Sequence, residues 1–398
     1  MTQRLKWILV FGGAAIAIAL AARHYLPHGF VNNGAPASGE PIPEPLLRER
    51  IQLPAGFGIT LFASGVPGTR MLRFTTAGDL LVSTPAEGKV ILFERDANGD
   101  GHADGQRVLL DHLTAPHGLA LYNDWLYVAE SDAVLRVHFD AATRAVRGEP
   151  ERIIRGLPTD GHWTRTIGIG PDGWLYLSMG SSCNVCLEKD ARRAAITRYH
   201  LDGTGQQIYA TGLRNAVGFA WQPGTGALYA TDNGRDFLGD DFPPCEVDRV
   251  VEGGFYGWPF ANGDRVPDPD FGDGHADMIA KSIPPAHGFG AHVAPLGITF
   301  YSATQFPERY RGAAFVAQHG SWNRSHKSGY KVVALLFDAD GTIREEDFAT
   351  GFEVNEQVFG RPVDVAVGPD GALYVSDDFG GAIYRIAYAA AGFSEPRR

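Results

Sequence analysis

Basic stretches are what this chain lacks first. Lys and Arg number 35 against 46 Asp and Glu, leaving a formal net charge of −11, and no run of cations is interleaved with aromatic side chains. Affinity for a phosphate backbone rests on such runs, so nucleic acid is excluded as a partner. Cysteine is scarce as well: Cys183, Cys186 and Cys245. A zinc site built on Cys183-Asn184-Val185-Cys186 would need a second pair that does not exist, and haem c attachment would need His where Leu187 stands. In an exported chain the expected state is a disulfide, within the short loop or from one of that pair to Cys245. A loop staple is preferred to a redox pair because no thioredoxin-like helix accompanies it. Helical periodicity is absent beyond the N-terminus, and the apolar run from Trp7 to Ala22 is short for a membrane span.

That run, flanked by Arg4, Lys6 and Arg23, has the length of a signal-peptide core, and Ala19-Leu20-Ala21 offers an A-x-A cleavage site. Residues 1–28 are therefore read as a signal peptide or an uncleaved N-terminal membrane anchor, 29–50 as a Pro/Gly-rich linker, 51–390 as one folded ring and 391–398 as a tail. The expected location is periplasmic or exported, with or without a tether to the inner membrane.

What is abundant is Gly, at 50, and Pro, at 25, and they recur in a pattern. Gly170-Pro171-Asp172-Gly173-Trp174-Leu175-Tyr176-Leu177 returns as Gly368-Pro369-Asp370-Gly371-Ala372-Leu373-Tyr374-Val375. Pro fixes φ, Asp bonds its own backbone and Gly tolerates positive φ, so each copy reads as a turn feeding a strand. Weaker copies surround Leu80, Leu126, Leu228 and Phe315. Their spacing is roughly 50 residues, the length of one four-stranded blade, and the count predicts an all-β, six-bladed β-propeller. The longer gap between Leu228 and Phe315 must hold an insertion or, as the alternative, a cryptic seventh blade.

Two groups of polar residues stand out against this repeat. In Asp96-Ala97-Asn98-Gly99-Asp100-Gly101-His102-Ala103-Asp104, oxygen-bearing side chains alternate with glycines, as a Ca²⁺ loop requires, so Asp96, Asn98, Asp100 and Asp104 are candidate ligands of a structural ion. Separately, His117, His162, Arg214 with Asn215, and Arg361 each precede a Leu-Tyr-Val-type run at a similar phase. Segments that lead into inner strands converge on one mouth of a propeller, which predicts a shared pocket. Permanent cations beside a His that is neutral near pH 7 describe a site for an anionic ligand with a proton to be removed, and Trp163, Tyr256 and Trp258 could supply a stacking face.

In their order and spacing, His162 followed by Ile167-Gly168-Ile169-Gly170-Pro171-Asp172-Gly173, Gly212-Leu213-Arg214-Asn215, Asp232-Asn233-Gly234-Arg235, Glu246-Val247-Asp248, Tyr256-Gly257-Trp258-Pro259 and Arg361-Pro362-Val363-Asp364-Val365 resemble the soluble pyrroloquinoline quinone (PQQ) dependent aldose sugar dehydrogenases, which include glucose and sorbosone dehydrogenase-like proteins. The resemblance runs from about Ile51 onward. It implies His162 as the base that takes the C1 hydroxyl proton, and Arg214 as the cation at the quinone oxygen. It further implies Asn215, Trp258 and Arg361 around PQQ, Arg324 in place of a family lysine, and Ca²⁺ on the backbone carbonyls of Gly234 and Arg235. By strand phase His117 joins the cofactor-binding set. Val363 stands where the family has a second cation, and Ser181-Ser182-Cys183-Asn184 replaces an acidic loop. The implied substrate is a sugar or aldehyde, with cytochrome c or a quinone as electron acceptor. Two other functions fit the ring: a Ca²⁺-dependent lactonase or esterase holding its channel metal through residues such as Asp232 and Asn233, and a non-catalytic propeller that binds a partner.

Overall fold

The computed structural model describes residues 38–389, so the expected signal or anchor segment and the tail 391–398 lie outside the described residues. Each Gly-Pro-Asp-Gly phrase builds the same corner. Gly173 N–H donates to Gly170 O, and Gly371 N–H to Gly368 O, both at 2.9 Å. Gly173 and Gly371 adopt φ of 78° and 80°, a region that favours glycine. The Asp carboxylates then accept from the strand that follows: Trp174 N–H and Tyr176 Oη–H reach Asp172 at 3.3 and 2.8 Å, and Ala372 N–H and Tyr374 Oη–H reach Asp370 at 3.1 and 3.3 Å.

From these corners the chain winds into six antiparallel sheets of four main strands, with no seventh blade among the described residues. Blade 1 is Leu72–Phe74, Leu80–Thr84, Lys89–Phe93 and Gln106–Leu110, and blade 2 is Leu119–Tyr122, Trp125–Ala129, Ala133–Asp140 and Ala145–Arg155. Blade 3 comprises Arg165–Ile169, Leu175–Met179, Ala195–Tyr199 and Gln207–Thr211; blade 4, Ala216–Trp221, Leu228–Asp232, Pro244–Val250 and His287–Ala291. Blade 5 comprises Pro295–Phe300, Ala314–Gln318, Lys331–Phe337 and Ile343–Ala349. Blade 6 takes three strands from the C-terminal end, Pro362–Val367, Leu373–Asp377 and Ala382–Tyr388, and its outer strand, Phe57–Ala63, from the N-terminal end. That pairing, Phe57 opposite Tyr388 through Leu61 opposite Tyr384, closes the ring.

Leu80, Leu126, Leu175, Leu228 and Leu373 each face the preceding blade from the second strand while Phe315, one residue out of phase, faces the following one, and none is more than 3% exposed. Burying each contributes about 1.5–3 kcal/mol. The insertion falls between the third and fourth strands of blade 4, where it forms the hairpin Ala261–Asn262 with Val266–Pro267 and the helix Ala276–Lys281. Its start, Gly254–Phe255, pairs in parallel with the outer strand of blade 3. The linker expectation for 29–50 is corrected in its second half. Glu44–Arg50 is a helix, and Ile42 and Leu47 sink into the core beside Tyr384 and Phe352 because the apolar edge of blade 6 needs cover.

Candidate functional site

The first strand of each blade leaves one mouth of the ring and the second returns to it. Two sets of loops therefore gather there: those leading into first strands and those joining second strands to third. Between them lies a cavity of about 330 Å³ lined in part by Arg70, His162, Trp163, Arg214, Asn215, Gly234, Asp236, His319, Trp322 and Asn323. A larger hollow of about 560 Å³, where Thr75, Asn123 and Arg147 meet, has its charged groups already paired, His138 with Asp124 and Arg147 with Asp140.

His162 is fixed from both ends. Arg165 and Arg193 donate to its carbonyl at 2.8 and 2.9 Å. Its Nδ1 lies 2.9 Å from Ser181 O and 3.1 Å from Ser181 Oγ. A carbonyl only accepts, so Nδ1 carries the proton and Nε2 keeps its lone pair. Burial, reinforced by the Arg214 cation, pushes the imidazole pKa down to about 4. At neutral pH the ring is an uncharged acceptor.

Arg214 is more tightly held. Nε donates to Asn184 O at 3.0 Å, Nη1 to the carbonyls of Asn233 and Gly234 at 3.1 and 2.9 Å, and Nη2 to Asn184 Oδ1 and the Asp236 carboxylate at 3.0 and 2.9 Å. Every N–H of a guanidinium is thereby engaged, so Arg214 faces the cavity as a fixed charge and not as a free donor. Beside it, Asn215 N–H donates to Asp232 Oδ1 at 2.6 Å, while Asn215 Oδ1 and Asn323 Oδ1 are buried acceptors without a donor among the described residues. Such orphaned atoms at a cavity wall fit a polar ligand.

Across the cavity, Asp378 gathers His319 Nε2 and Arg70 Nη1, each at 2.8 Å. Although burial opposes it, His319, Arg70 and Arg361 hold this carboxyl well below its usual range. Burial lowers His319 to about 4, so this imidazole is neutral too. Arg70, Arg214 and Arg361 thus face Asp236 and Asp378, with Asp377 a further carboxylate beside Arg361. Below Asn215 the carboxyls of Asp232, Glu246 and Asp248 crowd on adjacent strands of blade 4. Burial pushes Asp232 up to about 7; burial together with Asp232 raises Glu246, and burial raises Asp248, whose two oxygens find no donor among the described residues.

Not every expected residue lines the cavity. His162, Arg214, Asn215 and Gly234 do. His117 sits behind Trp163, edge to face at 5.3 Å and fully buried. Trp258 lies behind the 181–186 loop, with Nε1 donating to Asn184 O at 3.3 Å. Arg361 lies behind His319, donating to the carbonyls of His319 and Gly320 at 3.2 and 3.3 Å. Arg324 is directed elsewhere, to the Asp240 carbonyl and to the exposed Asp241 carboxylate at 3.2 Å, because its long side chain follows the 240–241 loop.

The residues expected to hold metal make the following contacts. Gly234 O is occupied by the Arg214 guanidinium, and the Arg235 side chain pins the blade 4 insertion through Asp268 and Asp270 at 2.7 and 2.9 Å. A cation on the Gly234 carbonyl would lie beside the Arg214 guanidinium, which disfavours it at that oxygen as long as Arg214 holds this position. In the blade 1 loop the oxygens turn onto their own backbone. Asp96 accepts from Gly99, Asp100 and Gly101 N–H, Asn98 from Asp100, Asp100 from His102 and Asp104 from Ala97. Asp232 and Asn233, named for a channel metal, are tied into the frame, Asn233 Nδ2 donating to Asn215 O and Pro295 O at 3.1 Å. Among the described residues the one cluster of three His, Cys, Asp or Glu side chains close enough for a metal is Cys183, Cys186 and Glu188, and its cysteines form a disulfide. Cys245 is free and buried.

The chain is 34% identical over 291 residues to an uncharacterized protein of Borreliella burgdorferi, covering 69% of this chain and 76% of that one. It is 23% identical over 429 residues to a pyrroloquinoline quinone-dependent pyranose dehydrogenase of Coprinopsis cinerea, matching across 89% of this chain but only 56% of that protein's length. The calcium structure of the Trichoderma reesei family AA12 carbohydrate-active enzyme superposes with a TM-score of 0.76 at 20% identity, over 89% of this chain and all of that one, 100%. The holo PQQ domain of the Coprinopsis enzyme gives 0.74 at 21% identity, with 89% and 100% covered. The TrAA12-like profile matches residues 51–245 and 273–389, most of the chain, and with the propeller in place the chain belongs to that family.

Proposed function

We propose that this protein is a PQQ-dependent oxidoreductase that oxidises an aldose sugar or a related aldehyde at C1. The observation that carries the reading is the pairing, on one cavity, of a neutral imidazole presenting Nε2 with a fixed guanidinium charge. The related sugar dehydrogenases support the same chemistry. The residues present fit the cofactor in charge: Arg70 and Arg214 face the cavity with Arg361 behind His319, and their combined field suits a tricarboxylate. PQQ, when bound, supplies a two-electron acceptor.

The chain's own part is then defined. His162 Nε2 takes the hydroxyl proton of the substrate as hydride leaves C1, and Ser181 O holds the ring in the tautomer that makes this available. Arg214 acts through its field, since its donors are engaged, and a preorganised charge costs no reorganisation when negative charge develops on the acceptor. Trp163 and Trp322, 39% and 43% exposed at the cavity, offer faces to the C–H surface of a sugar ring. Ca²⁺ enters no step. The test is reconstitution of the purified chain with PQQ, with and without Ca²⁺, followed by dye reduction across an aldose and aldehyde panel. Sugar-dependent turnover is expected; absence of PQQ uptake overturns the reading.

A further inference from the structure

The short loop between the second and third strands of blade 3 touches both residues of the proposed chemistry. Its Cys183–Cys186 disulfide closes a small ring around Asn184. From inside that ring Asn184 accepts Arg214 Nε on its carbonyl and Arg214 Nη2 on Oδ1, each at 3.0 Å. The same Oδ1 accepts Asp236 N–H at 2.8 Å, and Nδ2 donates to Asp236 O at 3.1 Å, which also fixes the carboxylate partner of Arg214. At the loop's start, Ser181 Oγ–H donates to Cys183 O at 2.6 Å while Ser181 O receives His162 Nδ1–H. Ser182 closes the base by donating N–H and Oγ–H to Glu188 at 2.6 and 2.7 Å.

We propose that the disulfide-closed loop is a positioning device, with Asn184 as its principal positioning residue, that sets Arg214 and His162 together only while Cys183 and Cys186 are oxidised. The inference rests on the proposed function for its consequence but not for its geometry. An open loop of this length loses the constraint that presents both the carbonyl and the side chain of Asn184 to one guanidinium. Residues 182 to 186 are half-buried, so a reductant reaches the bond without unfolding the ring. Nothing in blade 3's strands depends on it: the ladder Arg165 opposite Met179 through Ile169 opposite Leu175 lies wholly outside the loop.

His162 reports the state of the loop without any cofactor. The charges facing it are Arg214 from blade 4, and Arg193 and Arg165 at its own backbone, with Asp160 paired to Arg193 at 2.8 Å. Burial and the latter two cations persist when the loop opens, whereas Arg214 loses its two bonds to Asn184, keeps those to Asn233, Gly234 and Asp236, and is no longer held at a fixed distance from His162. The experiment is NMR titration of the His162 ring in the full chain, assigned by its loss in His162→Gln. It is run on wild type, on wild type with reductant, on Asn184→Ala and on Cys183→Ser with Cys186→Ser. The His162 midpoint is expected to rise from near 4 by about 1 pH unit in all three perturbed samples, with melting temperature nearly unchanged. An unmoved midpoint in Asn184→Ala and in reduced wild type overturns the proposal, and those two samples decide it even if the double-serine variant does not fold. PQQ titration followed by tryptophan quenching gives the second readout: affinity should fall roughly tenfold in Asn184→Ala. If wild type takes up no PQQ, the proposed function fails while the His162 titration still decides the loop.

Discussion

Two loops of this ring are dense in polar side chains, and they differ in where those side chains point. In blade 1, Asp96, Asn98, Asp100 and Asp104 bond amides within a few residues of themselves, and Asn98, Asp100 and Asp104 stand in solvent. Around blades 3 and 4, Ser181, Asn184, Arg214 and Asp236 bond across elements separated by tens of residues, and leave a lone pair on His162 and, among the described residues, an oxygen on Asn215 without a donor. Local bonding stabilises a turn. Bonding across blades that leaves groups unmatched costs free energy without a ligand, and that imbalance separates a site from a well-made loop.

The largest effect expected follows from the unmatched lone pair. His162→Ala should lower kcat by roughly 10²–10⁴ while PQQ affinity stays near wild type, because Nε2 acts on a proton in transit. In wild type the acid limb of kcat/KM should bend near pH 4 and not near 6.5, since the folded imidazole resists protonation until then. A limb at 6.5 would assign the base elsewhere. Arg214→Lys should lose rate and PQQ affinity by roughly tenfold or more, because an ammonium brings three donors on one nitrogen to a nest that takes five from a planar fork. Retention of both would show that only net charge matters at that position.

The buried carboxyls of blade 4 give the next effect. Asp232, Glu246 and Asp248 have folded pKa values above their unfolded ones, so between about pH 4 and pH 8 the folded state binds protons that the unfolded chain has released. Stability is therefore greatest at the acid end of that window and falls as pH rises through it. Asp248→Asn removes one such ionisation at nearly constant shape and should raise stability on the order of 1–3 kcal/mol at pH 8, and less at pH 5. Thermal melts at the two pH values check the sign. An equal shift at both would trace the gain to packing.

How much of this was legible depends on the range of the interaction. The Gly-Pro-Asp-Gly corners are local chemistry, so blade count and the place of the insertion follow from sequence. His162, Arg214 and Asn215 are found because they precede first strands at one phase, and Arg70 stands at the same phase ahead of Leu80. Ser181, Asn184, Asp236, His319 and Asp378 escape that rule because they follow second strands, the other set of loops at the same mouth. Applying both phases would have found them. Trp258 is displaced by the parallel pairing of Gly254–Phe255 with blade 3, which no local pattern announces. Arg324 misleads because a long side chain can turn either way from its backbone. The PQQ-family likeness was readable from motif order, whereas the use of Gly234 O by Arg214 needed coordinates.

The smallest effect tests the other side of the comparison. If the blade 1 loop is complete in itself, its stability owes nothing to a metal. Asp100 contributes one acceptor, Oδ1, to His102 N–H at 2.9 Å, and the oxygen of an asparagine at that place serves equally well. Asp100→Asn should therefore shift stability by no more than about 0.5 kcal/mol, the range of an exposed substitution that breaks no bond. Chelator should leave the melting temperatures of wild type and variant alike. The opposite outcome would be informative. A melting temperature that falls with chelator in wild type but not in Asp100→Asn would mean that Ca²⁺ draws these oxygens away from their amides, and that a loop closed on itself can still open for an ion.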